Sequence, residues 1–140
     1  QHLMSLGIPL NMDSTLKGQT VFLAERCGEL MYDDIITDRT ILDVMAFTLN
    51  AKSIPHQDKD AFEVYASEFI REYDYIFYIS PHGIEIEDNG IRETDEHYRD
   101  LIDFTITTLI KRHGHKAGKI EKISGSTEER IQQILNITSL

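Results

Sequence analysis

Asp38 and Arg39 stand side by side in "DIITDRTILD" (34–43), between a short β-branched run and a stretch with helical spacing. In open α/β sheets, ligands sit beyond the carboxyl ends of the strands. A carboxylate there can hold Mg²⁺ through water or accept a proton from a hydroxyl nucleophile. An adjacent guanidinium can clamp phosphate oxygens with two parallel hydrogen bonds. The same pair also has a plain structural reading, with Asp38 as N-cap of a helix over 40–51 and Arg39 in a surface ion pair. Local pattern leaves both open.

A second candidate is "EIEDNGIRETDEHYRD" (85–100). Asn89-Gly90 is a hairpin-turn signal, and Ile84, Ile86 and Ile91 alternate with charges, so an ordinary hairpin or loop accounts for it. Its functional reading is a lid over a phosphate site, with Arg92 and Arg99 reaching inward on closure. Gly114 to Lys119 superficially suggests a phosphate loop. It has three residues between its glycines where the P-loop has four, Ile120 stands where Ser or Thr should hold Mg²⁺, and it follows a helix. It is therefore rejected. His113 and His115 lack a third ligand in sequence view. Glu85, Glu87 and Asp88 read as a solvated turn.

The elements that must position these groups follow from periodicity. Asp13 or Ser14 can cap a helix to about Tyr32, with Leu16, Leu23, Cys27 and Leu30 on one side, weakened by Gly18 and Gly28. Ile35 to Thr37 reads as a short strand, and Ile41, Val44, Met45 and Leu49 as the apolar side of the next helix. Pro55 should stop any helix, and Asp58 or Asp60 should start another, with Phe62, Tyr65, Phe69 and Ile70 as its stripe. "YDYIFYIS" (73–80) suits a parallel strand covered on both faces. From Thr94 to His113, Tyr98, Leu101, Ile102, Thr105, Ile106, Leu109 and Ile110 recur at helical spacing, with Gly114 placed as C′ residue. Each buried aliphatic side chain of that stripe contributes roughly 1.5–3 kcal/mol before entropy is charged. "KIEKIS" (119–124) reads as a last strand, and Ser126 and Glu129 have capping-box spacing ahead of a helix carrying Ile131, Ile134 and Leu135. Strands alternating with helices predict an α/β fold with a mostly parallel sheet.

Bulk properties restrict the partners. The 140 residues fit one domain with a substantial core, at 41% hydrophobic and 27% charged. A net charge of −10 argues against duplex nucleic acid, which needs a basic surface, but a local Arg cluster can still hold a small anion. Cys27 is the single cysteine, excluding an internal disulfide or a thiolate zinc cluster, and reads as a small buried thiol. With no apolar run of membrane-spanning length and no signal-peptide pattern, a cytoplasmic, soluble protein is expected.

In order and spacing, these pieces resemble a P-loop kinase-type family, in particular the ribosylnicotinamide kinase domain of bifunctional NAD-biosynthesis regulators and related small AAA-domain ATPases. The likeness is carried by "DRTILDVMAFT", "YDYIFYISP", "IEDNGIRETDEHYRDLID" and "KISGSTEERIQQIL", and covers most of the chain from Asp13 onward. It implies a three-layer P-loop kinase-like fold for a single domain over 1–140, with a lid over about 82–99. It further implies ATP and Mg²⁺ as cofactors and phosphoryl transfer to a nucleoside, nucleotide or related small metabolite. A nucleotide-binding ATPase or interaction module in a larger assembly is the alternative, and an oligomer is compatible with either.

By the same resemblance, Asp38 is the acidic residue serving Mg²⁺ or the acceptor hydroxyl, and Arg39 touches phosphate. Arg92 and Arg99 are lid arginines, while Gly125, Ser126 and Thr127 lie near the adenine with Arg130 over it. The family's G-x-x-x-x-G-K-[ST] loop does not occur in these residues. The resemblance puts it upstream of Gln1, supplied in cis or in trans, on a central strand between those ending at Thr37 and Ser80. The chain is thereby expected to be a C-terminal portion of the domain.

Overall fold

A computed structural model of the protein describes residues 14–81 and 96–139. Helix α1 (Leu16–Glu29) is capped by Thr15, whose hydroxyl accepts from the Gly18 amide, rather than by Asp13 or Ser14. Its inward side is narrow. Leu23 is buried, Cys27 and Leu30 are partly covered, and Leu16 remains exposed.

Helix α2 (Ile41–Leu49) is the centre of the molecule and packs against α1 and against both of the following long helices. Ile41, Leu42, Val44, Met45, Ala46 and Thr48 are all buried, far more than one amphipathic side would supply. A helix apolar nearly all round must be enclosed to be stable. Helix α3 (His56–Ser67) begins directly after Pro55, which occupies the N-cap position instead of merely ending what precedes it, and so starts earlier than Asp58 or Asp60. Proline suits a helix entrance because its missing N–H would be unpaired there anyway. Phe62 and Ile70 are buried and Phe69 is partly covered, but Tyr65 faces solvent.

A 3₁₀ turn (Glu68–Glu72) leads into strand β1 (Tyr75–Ile79). Helix α4 (Glu96–His113) then buries Tyr98, Ile102 and Leu109, the inward line of the expected stripe. Gly114 opens a second 3₁₀ turn (Gly114–Lys116) and is not the left-handed C′ residue expected. Its lack of a side chain serves close packing, since a Cβ there would lie 3.0 Å from Ile120 Cδ1. Strand β2 (Lys119–Ile123) pairs parallel with β1 in the register Tyr75 to Lys119 through Ile79 to Ile123. Helix α5 (Thr127–Thr138) closes the described chain with the predicted Ser126–Glu129 capping box.

The described residues thus form an α/β arrangement, with a two-stranded parallel sheet beside a helical core. Two further expectations fail. Residues 35–37 form no strand: Asp34 and Arg39 have left-handed backbones (φ 54° and 73°), turning the chain at both ends of the run, and Ile36 is 92% exposed. A strand needs a ladder partner, and among the described residues β1 pairs with β2 alone. Nor is β1 covered on both faces, because Tyr75 and Ile79 remain exposed. No helix among the described residues is long and apolar enough to cross a membrane.

Candidate functional site

The turn ahead of α2 holds Asp38 and Arg39. The helix entrance is satisfied without them: the Leu42 amide donates to Thr40 Oγ1 (3.1 Å), and the Thr40 amide donates to Asp43 Oδ2 (2.8 Å). The Ile41 amide, buried and lacking an intrahelical partner, donates to the Tyr73 hydroxyl at 3.2 Å. Thr40 is therefore the N-cap, and the structural role considered for Asp38 is filled by another residue.

The turn is fixed through its backbone. Arg26 Nη1 donates to the Asp38 carbonyl (3.0 Å), and the Thr37 hydroxyl donates to the Arg39 carbonyl (2.9 Å). Among the described residues, neither the Asp38 carboxylate nor the Arg39 guanidinium has a hydrogen-bond or ion-pair partner, and both residues are exposed. Arg39 sits at φ 73°, where a side chain with a Cβ costs roughly 1–2 kcal/mol. Its charge is still felt nearby. Burial pushes the Asp43 carboxyl upward, opposed by the Thr40 amide and by Arg39.

The loop after β2 has a different character. Gly125 adopts φ 97°, and a Cβ there would lie 2.9 Å from Glu129 Oε1. The Glu129 amide donates to Ser126 Oγ (3.1 Å) and the Ser126 amide to Glu129 Oε1 (2.9 Å), while Arg130 Nη2 donates to the Thr127 hydroxyl (3.1 Å). These polar groups serve one another within a single helical turn. A ligand at Gly125, Ser126, Thr127 and Arg130 would compete with that capping.

Arg99 lies in the first turn of α4, half-buried. Neighbouring Tyr98 packs its ring 6.3 Å from that of Phe47 on α2. Arg92, with most of the lid segment, lies outside the described residues. No hydrogen bond or ion pair among the described residues joins the Asp38–Arg39 turn, Arg99 and the Gly125 loop to one another. The turn is linked to the segment entering the sheet through Tyr73, ahead of β1, whereas the Gly125 loop follows the carboxyl end of β2.

Mg²⁺ bound with a nucleotide needs only one or two protein carboxylates, the phosphates supplying the rest. An exposed Asp38 with no side-chain partner among the described residues fits that donor set. Among the described residues no group of three or more His, Cys, Asp or Glu is placed to hold a metal by itself. His113 is engaged elsewhere, its Nε2 lying 2.7 Å from Glu63 Oε2.

Residue pattern did not single out the polar groups at the end of β1. The Tyr78 hydroxyl donates to Asp103 Oδ1 on α4 and is also hydrogen-bonded by the Ser80 side chain. Asp103 is half-buried beside an apolar stripe, one turn after Arg99, which is the only signal its position offered. No protein-family model, curated protein or solved structure matches the chain.

Proposed function

We propose that the protein is an ATP-dependent phosphotransferase acting on a nucleoside, nucleotide or related small metabolite. In this reading its α/β fold is of the three-layer P-loop kinase type, completed by a G-x-x-x-x-G-K-[ST] segment in cis or in trans. The observation that carries the reading is Arg39, kept in a left-handed conformation beside Asp38 with neither side chain engaged among the described residues. Backbone strain of this kind persists where the surroundings impose it, and it concentrates at ligand clamps.

Bound ATP with Mg²⁺ would supply the phosphoryl group. The acceptor oxygen forms its bond to the γ-phosphorus as the bond to the ADP oxygen breaks, ADP leaving with that electron pair. Arg39 offers its planar fork of donors to phosphate oxygens, and Arg99 adds a second guanidinium. The Asp38 carboxylate receives the acceptor's proton or would help hold Mg²⁺, which would supply charge neutralisation at the phosphates.

The intact protein, incubated with MgATP and a panel of nucleosides and nucleotides, is expected to transfer the γ-phosphate to a subset of the acceptors. Arg39→Ala should lower kcat/KM by about 10²-fold, as for loss of one electrostatic donor. Phosphate release that is independent of every acceptor would sink the kinase reading.

A second reading, a nucleotide-responsive ATPase or interaction module, is favoured by the exposed Met31, Tyr32, Ile35 and Ile36 beside the same turn. Exposed apolar clusters of this kind are associated with protein contacts. Size-exclusion chromatography that shows an ATP-dependent change in assembly, without phosphorylated acceptor, would select it.

A further inference from the structure

The three most exposed large apolar side chains among the described residues, Ile36 (92%), Met31 (84%) and Tyr32 (71%), fall within one short stretch between α1 and α2. Single apolar residues scattered over a surface are ordinary, but a contiguous group is the mark of a contact site. This group is fixed before any partner arrives. The Met31 and Tyr32 amides donate to the Gly28 and Glu29 carbonyls (both 3.2 Å), and Arg26 and Thr37 hold the far end through the Asp38 and Arg39 carbonyls. A surface already ordered gives up little freedom on binding.

Charge decides what can cover it. Asp33 and Asp34 stand in the middle of the group, both exposed, and neither side chain has a hydrogen-bond or ion-pair partner among the described residues. Over residues 29–39 the sequence sets Glu29, Asp33, Asp34 and Asp38 against Arg39 alone. Arg26, one turn earlier on α1, answers Glu29 at 3.3 Å. An anionic lipid surface would be repelled by the remaining carboxylates. A second copy brought up on a two-fold axis would set Asp33 and Asp34 against the same residues of its mate, in a chain of net charge −10. A basic partner is attracted both by the local carboxylates and by the whole molecule.

We propose that this loop is the docking surface for a basic amphipathic segment of a partner protein. The segment's apolar side chains cover Met31, Tyr32 and Ile36, and its Lys or Arg residues meet Asp33 and Asp34. The inference rests on the second reading above, whose exposed cluster it supplies with a partner, and it does not need phosphotransfer.

The test titrates the intact protein, without nucleotide, with three fluorescent synthetic peptides: an amphipathic Leu/Lys helix, the same pattern with Glu for Lys, and a Lys/Ser peptide of equal charge. The Leu/Lys peptide should bind about tenfold more tightly than either of the others. Ile36→Ser should weaken it by about tenfold, and so exposed a side chain can be changed without unfolding the protein. Asp33→Asn with Asp34→Asn should also weaken binding and flatten its salt dependence, since Asn tolerates the left-handed backbone of Asp34 (φ 54°). Asp60→Asn with Glu72→Gln removes the same charge from exposed positions elsewhere and should leave the affinity unchanged. Equal binding of the three peptides, no binding, affinity untouched by the loop variants, or an equal loss in the Asp60→Asn, Glu72→Gln variant would overturn the assignment. So would a wild-type dimer, or attachment to phosphatidylserine vesicles, that Ile36→Ser abolishes. Repeating the titration and the size-exclusion run with MgATP separates this claim from the second reading. Peptide binding indifferent to nucleotide leaves the docking surface standing and removes the nucleotide switch. ATP-dependent assembly without discrimination among the peptides does the reverse.

Discussion

At Arg39 the conformation and the proposed work can be separated by one substitution. Its φ of 73° is one that glycine adopts without penalty. Arg39→Gly should therefore leave stability unchanged or raise it by up to about 1 kcal/mol in urea denaturation, while removing nucleotide affinity. A loss of more than about 1 kcal/mol would mean that the side chain supports the fold and that the strain has another origin. The adjacency of Asp38 and Arg39 is plain in the sequence, but the strain is not, because φ is set by the hydrogen bonds from Arg26 and Thr37 that turn the chain there. Ser80 and Asp103 were still harder to read. Each is an ordinary polar residue until Tyr78 bridges them, and Tyr78 and Asp103 are 25 positions apart.

Among the elements, α2 shows how local and distant groups share one helix entrance. Thr40 and Asp43 form a capping box that a three-residue spacing makes legible. Tyr73, 32 positions away, takes the remaining buried amide of Ile41. Burial pushes the Tyr73 phenol up to about 12, against the Ile41 amide bond that favours its ionised form, so it stays protonated. Tyr73→Phe should cost about 1–3 kcal/mol, the penalty of an unpaired buried donor, with little change in the apolar core. Urea denaturation checks it, and a cost near zero would show that another group reaches the amide. Capping and amphipathic spacing made α1, α2, α4 and α5 readable to within a few residues. The run at 35–37 was misread because β-branched composition describes a preference, and a strand exists only where a neighbour completes its ladder.

Across the whole molecule, α3 and α4 are joined by one carboxylate. Glu63 Oε2 lies 2.6 Å from Arg112 Nη1 and 2.7 Å from His113 Nε2, with the Glu63 side chain only 13% exposed. Partial burial pushes Glu63 upward, but hydrogen bonds and charge from Arg112 and His113 outweigh it and hold the carboxyl below its ordinary value of 4.5. A carboxyl depressed in the folded state contributes stability that is fully present above its unfolded pKa and disappears as pH falls through the folded one. Glu63→Gln should therefore cost about 1–2 kcal/mol at neutral pH, discounted for the exposed Arg112. The gap between wild type and variant should close on acidification below about pH 4.5. Unfolding curves across the acid range test this, and a gap independent of pH would show that packing, not charge, joins the helices.

The sequence by itself determined the Ser126–Glu129 capping box and the inward line of α4, because each depends on residues a few positions apart, and it marked the strand candidates at 73–80 and 119–124 that parallel pairing then realised. Tertiary structure alone decided that 35–37 is a loop, that Tyr73 completes the entrance of α2, and that Tyr78 meets Asp103. Those outcomes depend on hydrogen-bond partners brought together from distant segments, and a donor or acceptor in a sequence does not carry the identity of the group it will meet.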